Sequence, residues 1–242
     1  MKPHRVIIPN NKNEKLVGYL YKGTAKTLII VSHGIEGNNT PSDPFLRKII
    51  PEYFSEIVKK SGASVYSFDF SGYGESEGEN FLSLRQRDKE IKSVINYFSE
   101  QYDKIILYGF SLGGLSSAIG ALHNKNTAGL ITVNSFFTFN PLHLLPSNVI
   151  ITFSYLLAKP RFALELYYRR KNLKIANIKV PTLVVHGDND NFVNFKQSVA
   201  FFKKLNTRKK FFSIKSKDHT LKKEYIQIPP EIAKWLKEER LV

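Results

Sequence analysis

The segment Gly109-Phe110-Ser111-Leu112-Gly113-Gly114 constrains the fold more than any other part of this 242-residue chain. It follows the apolar run 104–108, which is typical of a buried strand, and it opens a stretch of small residues, 113–123, that predicts a helix. A serine between glycines at this junction predicts a very tight turn, because bulky residues two positions away would collide. Such a turn holds the Ser111 hydroxyl clear of the sheet and makes it a candidate nucleophile. The alternative is a glycine-rich turn whose serine is incidental.

Apolar β-rich runs alternate with helical patterns along most of the chain. This alternation predicts an α/β fold with a mostly parallel sheet of about eight strands, flanked by helices, in one domain over 1–242. The predicted strands are 5–9, 15–21, 27–32, 64–70, 104–108, 129–134, 182–186 and 209–214. The predicted helices are 45–61, 82–102, 113–123, 196–205 and 230–239. The first two strands are expected to pair antiparallel through a turn at 10–13.

The segment 136–178 departs from the alternation and is predicted to be a lid inserted within the domain. Its aromatic residues have two interpretations, packing in the core or lining an apolar acyl or aryl pocket. They are Phe136, Phe137, Phe139, Phe153, Tyr155, Phe162, Tyr167 and Tyr168.

A serine hydroxyl is a weak nucleophile without a base, and His219 is the candidate. It lies in the loop after the last predicted strand. A ligand site is expected there, because ligands of such sheets bind at the carboxyl ends of the parallel strands. His33 and His186 each precede a glycine at a strand end and are expected to shape turns by hydrogen bonding.

The base needs an acid to orient it, and the loop after strand 182–186 offers Asp188 and Asp190. We favour Asp190, since it lies far enough past the strand for the loop to carry it to His219. Asp188 is expected to cap backbone N–H groups of its own loop, and Asp218 to lie at the surface. Two backbone N–H groups, those of Ile35 and Leu112, are the candidate oxyanion donors.

The chain has no cysteine, which excludes a disulfide framework, a cysteine nucleophile and a cysteine-ligated zinc site. The formal net charge of +15 raises the alternative of nucleic-acid or anionic-membrane binding. The only tight basic clusters, 169–171 and 208–210, accompany no nucleic-acid-binding motif, so a solvated basic surface is favoured. The first residues lack the apolar region of a signal peptide, and the longest apolar run, 149–158, is too short to span a bilayer. We therefore expect a cytoplasmic protein without a membrane span, with no cofactor or metal.

These residues together resemble the α/β-hydrolase superfamily, especially its small esterases and its monoacylglycerol-lipase-like and cinnamoyl-esterase-like members. The resemblance extends over nearly the whole chain. It is carried by His33-Gly34, the segment 69–76 as D-x-x-G-x-G-x-S, the turn 109–113, the loop 187–193 as G-x-x-D-x-x-V, and His219. The loop motif also selects Asp190. Two positions depart from the family pattern, Asn194 in place of a common proline and Asp218 in place of a common glycine.

The resemblance implies a Ser-His-Asp triad, and the hypothesis it favours is hydrolysis of carboxylic esters, with a small acyl ester as substrate. A thioesterase, acyltransferase or peptidase would use the same acyl-enzyme and stays an alternative. A non-catalytic binding protein on this fold is a further alternative. Dehalogenase and epoxide hydrolase chemistry is disfavoured, because it needs a carboxylate nucleophile and residue 111 is serine.

Overall fold

A computed structural model describes residues 1–39, 41–79, 82–137, 164–165 and 173–242. The chain forms an eight-stranded sheet in the order β1-β2-β4-β3-β5-β6-β7-β8. The strands are β1 (His4–Pro9), β2 (Lys15–Tyr21), β3 (Thr27–Ser32), β4 (Ser64–Phe68), β5 (Lys104–Phe110), β6 (Thr127–Val133), β7 (Thr182–Gly187) and β8 (Lys209–Ile214). β1 pairs antiparallel with β2 and β2 with β4, while the pairs from β4 to β8 are parallel. The predicted fold class is confirmed.

Helices cover both faces of the sheet. Those described are α1 (Pro44–Ser61), α2 (Leu84–Phe98), α3 (Leu112–His123), α4 (Lys196–Lys204) and α5 (Ile228–Glu238). α1 and α5 pack on one face, where Phe54, Ile57 and Trp235 are buried. α2, α3 and α4 pack on the other face. Two covered faces explain why β3 and β4 are buried along their whole length, and why β3 reads as a continuous apolar run. None of the described helices is both long and apolar enough to cross a membrane.

Some predicted boundaries are wrong, and side-chain hydrogen bonds explain two of them. β4 ends at Phe68 instead of residue 70, because the Phe70 N–H leaves the sheet and donates to Nε2 of His33 at 3.0 Å. α2 begins at Leu84 instead of residue 82, because Ser83 caps the helix and its hydroxyl accepts from the Gln86 N–H at 3.2 Å. β5 continues to Phe110, since its pairing with β6 extends to Val133.

The predicted lid segment 136–178 is described only at its ends, because 138–163 and 166–172 lie outside the described residues. The ends belong to the core. Phe137 stacks on Phe201 of α4 with ring centroids 3.8 Å apart, and Ile175 and Ile178 are buried. For Phe136 and Phe137 the structure therefore favours core packing, and the lid itself stays a prediction.

Candidate active site

Ser111 lies at the predicted strand-to-helix turn, between the last residue of β5 and the first of α3. Its φ is 54° and its ψ −123°, a backbone conformation that non-glycine residues rarely adopt. The turn is tight enough to require both glycines. A Cβ on Gly109 would lie 2.2 Å from the Gly113 carbonyl oxygen, and a Cβ on Gly113 would lie 2.1 Å from that of Ser32. Strain at a turn that presents one hydroxyl is typical of a nucleophile position.

His219 is joined to Asp190 across the carboxyl ends of β7 and β8. Its Nδ1 lies 2.7 Å from Oδ2 of Asp190. The ring lies between Phe110 and Phe192, with centroid distances of 5.1 and 5.0 Å. Because the carboxylate accepts a hydrogen bond from the Nδ1–H group, the other ring nitrogen, Nε2, is left as the basic one. In the described part of the chain no hydrogen bond joins His219 to Oγ of Ser111.

The Asp190 carboxylate is fully buried and has partners on both oxygens. Oδ1 accepts from the N–H groups of Phe192 at 2.8 Å and Val193 at 2.9 Å, while Oδ2 faces His219 and, at 3.5 Å, Nε2 of His186. Burial alone would raise the pKa of Asp190, but the hydrogen bonds from His186 and His219 and from the Val193 amide lower it below its usual range. The residue is therefore a carboxylate at neutral pH.

The competing acids have other roles. Oδ1 of Asp188 accepts from the Ser216 N–H at 3.3 Å and from the side-chain amide of Asn189 at 3.0 Å. Asp218 accepts from the N–H groups of Thr220 and Lys222 and so closes the loop around His219. Among the described contacts neither carboxylate reaches the imidazole of His219.

The turn after β3 lies on the other side of Ser111. His33 is wholly buried, its Nε2 accepts from Phe70, and its Nδ1 faces the Gly34 carbonyl oxygen at 3.1 Å. Burial and the charge of Arg87 lower the pKa of His33 well below its ordinary value, so the ring is neutral. It acts as a turn-shaping residue, as expected from the sequence. Within the described residues, the N–H groups of Ile35 and Leu112 donate to no protein acceptor.

A cavity of about 460 Å³ joins these elements. Ser111 and His219 both line it, together with Gly34 and Ile35 of the turn after β3. Its other described walls come from α1, the strand ends and the loop before α5, and include Leu46, Ile49, Ile50, Tyr53, Phe54, Val31, Tyr108, Val133, Leu221, Tyr225 and Ile228. The volume is in the range of pockets that hold small organic ligands, and the walls are mostly apolar.

The prolyl oligopeptidase family profile matches residues 86–237, which is more than half of the chain. The chain belongs to this family. With its eight-stranded sheet it is an α/β hydrolase, as the sequence predicts.

Relatives of this prolyl oligopeptidase-family hydrolase include the uncharacterized protein YfhR of Salmonella typhi, 26% identical over 212 residues, or 81% of this chain and 65% of that protein. Rat monoglyceride lipase is 26% identical over 124 residues, 49% of this chain and 38% of the lipase. The chain thus matches less than two thirds of the length of these curated relatives.

Two solved structures share the fold of this family member. DcsB in complex with a substrate analogue has a TM-score of 0.80 at 17% identity, covering 98% of this chain and 100% of that one. An esterase of Pyrococcus furiosus has a TM-score of 0.74 at 16% identity, covering 98% and 92%.

Two residues of this candidate site do not stand out in the sequence motifs. Arg87 of α2 is buried and donates to the carbonyl oxygens of His33 at 3.0 Å and Gly34 at 2.8 Å. Asn134, at the end of β6, donates to the His219 carbonyl oxygen at 2.6 Å and accepts from the Gly187 N–H at 2.8 Å. A signal for Arg87 exists, since it falls on the apolar stripe of α2 with Leu84 and Ile91.

Several basic residues form ion pairs or hydrogen bonds within the protein. Of the cluster 208–210, Arg208 pairs with Glu239 at 2.9 Å and Lys210 with Glu231 at 2.7 Å. Lys209 donates to the Leu205 carbonyl oxygen at 2.8 Å, after the end of α4. The cluster 169–171 lies outside the described residues.

Proposed function

We propose that the protein is a serine hydrolase that cleaves carboxylic esters through an acyl-enzyme, with Ser111 as nucleophile, His219 as general base and Asp190 as the acid that orients His219. The observation that carries this proposal is the 2.7 Å contact between His219 Nδ1 and Asp190 Oδ2 in a cavity that Ser111 also lines. The contact fixes the imidazole with its basic nitrogen as Nε2, the atom that a general base requires.

In the proposed reaction Oγ of Ser111 attacks the ester carbonyl carbon while Nε2 of His219 takes the hydroxyl proton. The resulting imidazolium is stabilised by the buried Asp190 carboxylate. When the C–O bond breaks, His219 returns its proton to the leaving alcohol. Water then attacks the acyl-enzyme with His219 again as base, which releases the acid and restores Ser111. Hydrogen bonds between nucleophile and base are often long in free enzymes and shorten when substrate binds.

The tetrahedral intermediate carries a negative oxygen, which we assign to the N–H groups of Ile35 and Leu112. Ile35 lines the cavity in the turn after β3, and Leu112 directly follows the cavity-lining Ser111 at the first position of α3. Neither amide has a described protein acceptor, and the amino end of α3 adds its positive dipole. Each donor of this kind typically lowers the activation barrier by about 2.7–4 kcal/mol.

Peptide hydrolysis is the second candidate, because the family profile is that of prolyl oligopeptidases. The same residues would form the acyl-enzyme, and only the leaving group would differ. The apolar cavity and the monoglyceride lipase relative support the ester as first candidate.

A fluorophosphonate probe tests the nucleophile directly. We expect it to label the wild type at Ser111 and to leave Ser111→Ala unlabelled. Ser116→Ala is the matched control, since Ser116 is buried on the same helix and does not line the cavity. Labelled wild-type protein with no turnover of esters but with turnover of peptides would establish the second candidate. Failure to label folded wild-type protein would sink both.

A further inference from the structure

The cavity continues past Ser111 between α1 and the sheet. Its inner walls are Ile49, Tyr53 and Phe54 of α1 and Val31, Tyr108 and Val133 of the strands beneath. Each of these side chains is at most 8% exposed, so core residues close the inner end. A group that enters this closed end has no second exit. In an acyl-enzyme mechanism the acyl group stays attached while the alcohol must leave, so a blind pocket suits the acyl group.

Two tyrosine hydroxyls supply a polar feature in these apolar walls. The hydroxyl oxygens of Tyr53 and Tyr108 lie 2.9 Å apart, and both residues line the cavity. Burial raises the pKa of both phenols, so the pair holds two protons at working pH. One proton forms the mutual hydrogen bond, and the other has no acceptor among the described residues. A buried hydroxyl without an acceptor is unfavourable, which points to an oxygen on the ligand.

The charges around the cavity limit what that oxygen can be. The described lining residues include no lysine or arginine, whereas Glu36 and Asp43 lie at the mouth. Lys222 pairs with Asp43 at 2.5 Å and so joins the start of α1 to the loop after His219. A carboxylate at the inner end would be buried without a cation, so a neutral hydroxyl or carbonyl oxygen is favoured.

The spacing along β5 gives a length scale for the acyl group. Tyr108 precedes Ser111 by three residues, and Ser111 directly follows β5. Three strand residues span about 10 Å between Cα atoms, which is comparable to an extended chain of about seven or eight carbons.

We infer that this cavity is the acyl pocket and takes a neutral medium-chain acyl group with a hydroxyl or carbonyl oxygen at its far end, bound by Tyr53 and Tyr108. The inference rests on the proposed esterase function. It places substrate selection on α1 and β5, whereas one of the two interpretations of the sequence placed it on the aromatic residues of 136–178.

The test compares p-nitrophenyl esters of acetate, octanoate and ω-hydroxyoctanoate. In the wild type we expect kcat/KM to rise from acetate to octanoate and again to ω-hydroxyoctanoate. Tyr53→Phe and Tyr108→Phe should each lower the preference for ω-hydroxyoctanoate over octanoate by about tenfold, the size of one buried hydrogen bond. Tyr21→Phe is the control, because Tyr21 is buried on the same face, packs on Phe54 and does not line the cavity.

A second variant tests the shape of the pocket and leaves both tyrosines unchanged. Ile49→Trp enlarges a side chain of the inner wall and should lower kcat/KM for octanoate by about tenfold or more while acetate turnover changes little. Equal losses on both esters, or an unchanged hydroxyl preference in both tyrosine variants, would overturn the acyl-pocket assignment while leaving Ser111 chemistry intact. Absence of both ester turnover and fluorophosphonate labelling would instead overturn the proposed function.

Discussion

The same dipeptide, His-Gly, follows β3 and ends β7, and the two turns are held by buried side chains of opposite charge. After β3, the carbonyl oxygens of His33 and Gly34 accept hydrogen bonds from Arg87. After β7, where His186 precedes Gly187, the loop N–H groups donate to Asp190. Both imidazoles are wholly buried and bonded to backbone atoms.

In the proposed mechanism, the sign of the buried charge decides what each turn offers to a substrate. The Arg87 cation engages carbonyl oxygens, and we propose that the N–H groups of its turn, such as that of Ile35, then serve an oxyanion. An anion engages N–H groups through one oxygen and leaves the other for the imidazole of His219. Both charges are buried, yet each has several hydrogen-bond partners, which is the condition for burying a charge without a large penalty.

Replacing the anion should have the largest effect. Asp190→Asn retains the shape but has only one acceptor oxygen for the loop amides and the imidazole, so His219 loses its fixed tautomer. We expect kcat for p-nitrophenyl esters to fall by about 10³–10⁴-fold, as when the acid of such a triad becomes an amide. Circular dichroism checks that the variant is folded. A loss below tenfold would contradict the orienting role of Asp190.

Replacing the cation should have the next largest effect. Arg87→Met retains most of the volume but leaves two buried carbonyl oxygens without this donor, so the turn that carries Ile35 relaxes. We expect kcat to fall by about 10–100-fold, less than the loss of an oxyanion donor itself. KM should change little, because Arg87 does not appear among the described lining residues.

Two measurements separate this positioning role from a merely structural one. Arg87→Lys retains the charge but not the two-pronged contact, and it should recover only part of kcat. A variant that loses thermal stability yet keeps wild-type kcat at a temperature where it is folded would show that Arg87 serves the fold alone.

The turn that Asp190 holds could be predicted from the sequence better than the turn that Arg87 holds. Asp190 and His219 follow from loop motifs at strand ends, and local spacing is enough to find them. Arg87 acts from the first turn of α2 on a turn more than fifty residues earlier, and such a contact depends on how α2 packs on the sheet. The sequence does carry a hint, because a cation on the apolar stripe of a helix needs buried acceptors.

The same distinction holds for the fold. Largely apolar runs predict β3, β5, β6 and β7, since two covered faces leave no alternation. Strand ends are less predictable, because Phe70 leaves β4 to bond His33, a residue distant in sequence. The cavity could not be predicted at all: its walls combine α1, three strands and the loop before α5.

A third buried charge, Asp69, lies beneath the loop that follows the first turn. Burial raises its pKa to about 6, and the Asn39 and Asn38 amides only partly offset this. The folded state thus binds a proton between about pH 4 and pH 6 that the unfolded state has lost, so this group's destabilising contribution grows as pH rises through that window. Asp190 behaves oppositely: its pKa is lowered, so its stabilising contribution is present above about pH 4 and is lost at lower pH.

We expect Asp69→Asn to raise the free energy of unfolding at pH 7.5 relative to pH 5, by about 1–2 kcal/mol against the wild type. Urea unfolding of both proteins at both pH values measures this difference. A difference of the opposite sign would show that the carboxylate is the better-stabilised form of Asp69.

The smallest effect is expected at Asp188, two residues from Asp190 in the same loop. Asp188→Asn retains the Oδ1 acceptor for the Ser216 N–H, and the position is partly exposed, so stability should change by less than about 0.5 kcal/mol. Activity should stay within about twofold of the wild type, because no described contact joins Asp188 to His219.

The pair of variants, Asp188→Asn and Asp190→Asn, tests the choice between the two acids. They have the same charge change in one loop, and of the two acids only Asp190 contacts the imidazole of His219. A loss at Asp188→Asn comparable to that at Asp190→Asn would mean that the loop's net charge, and not the single 2.7 Å hydrogen bond, supports His219.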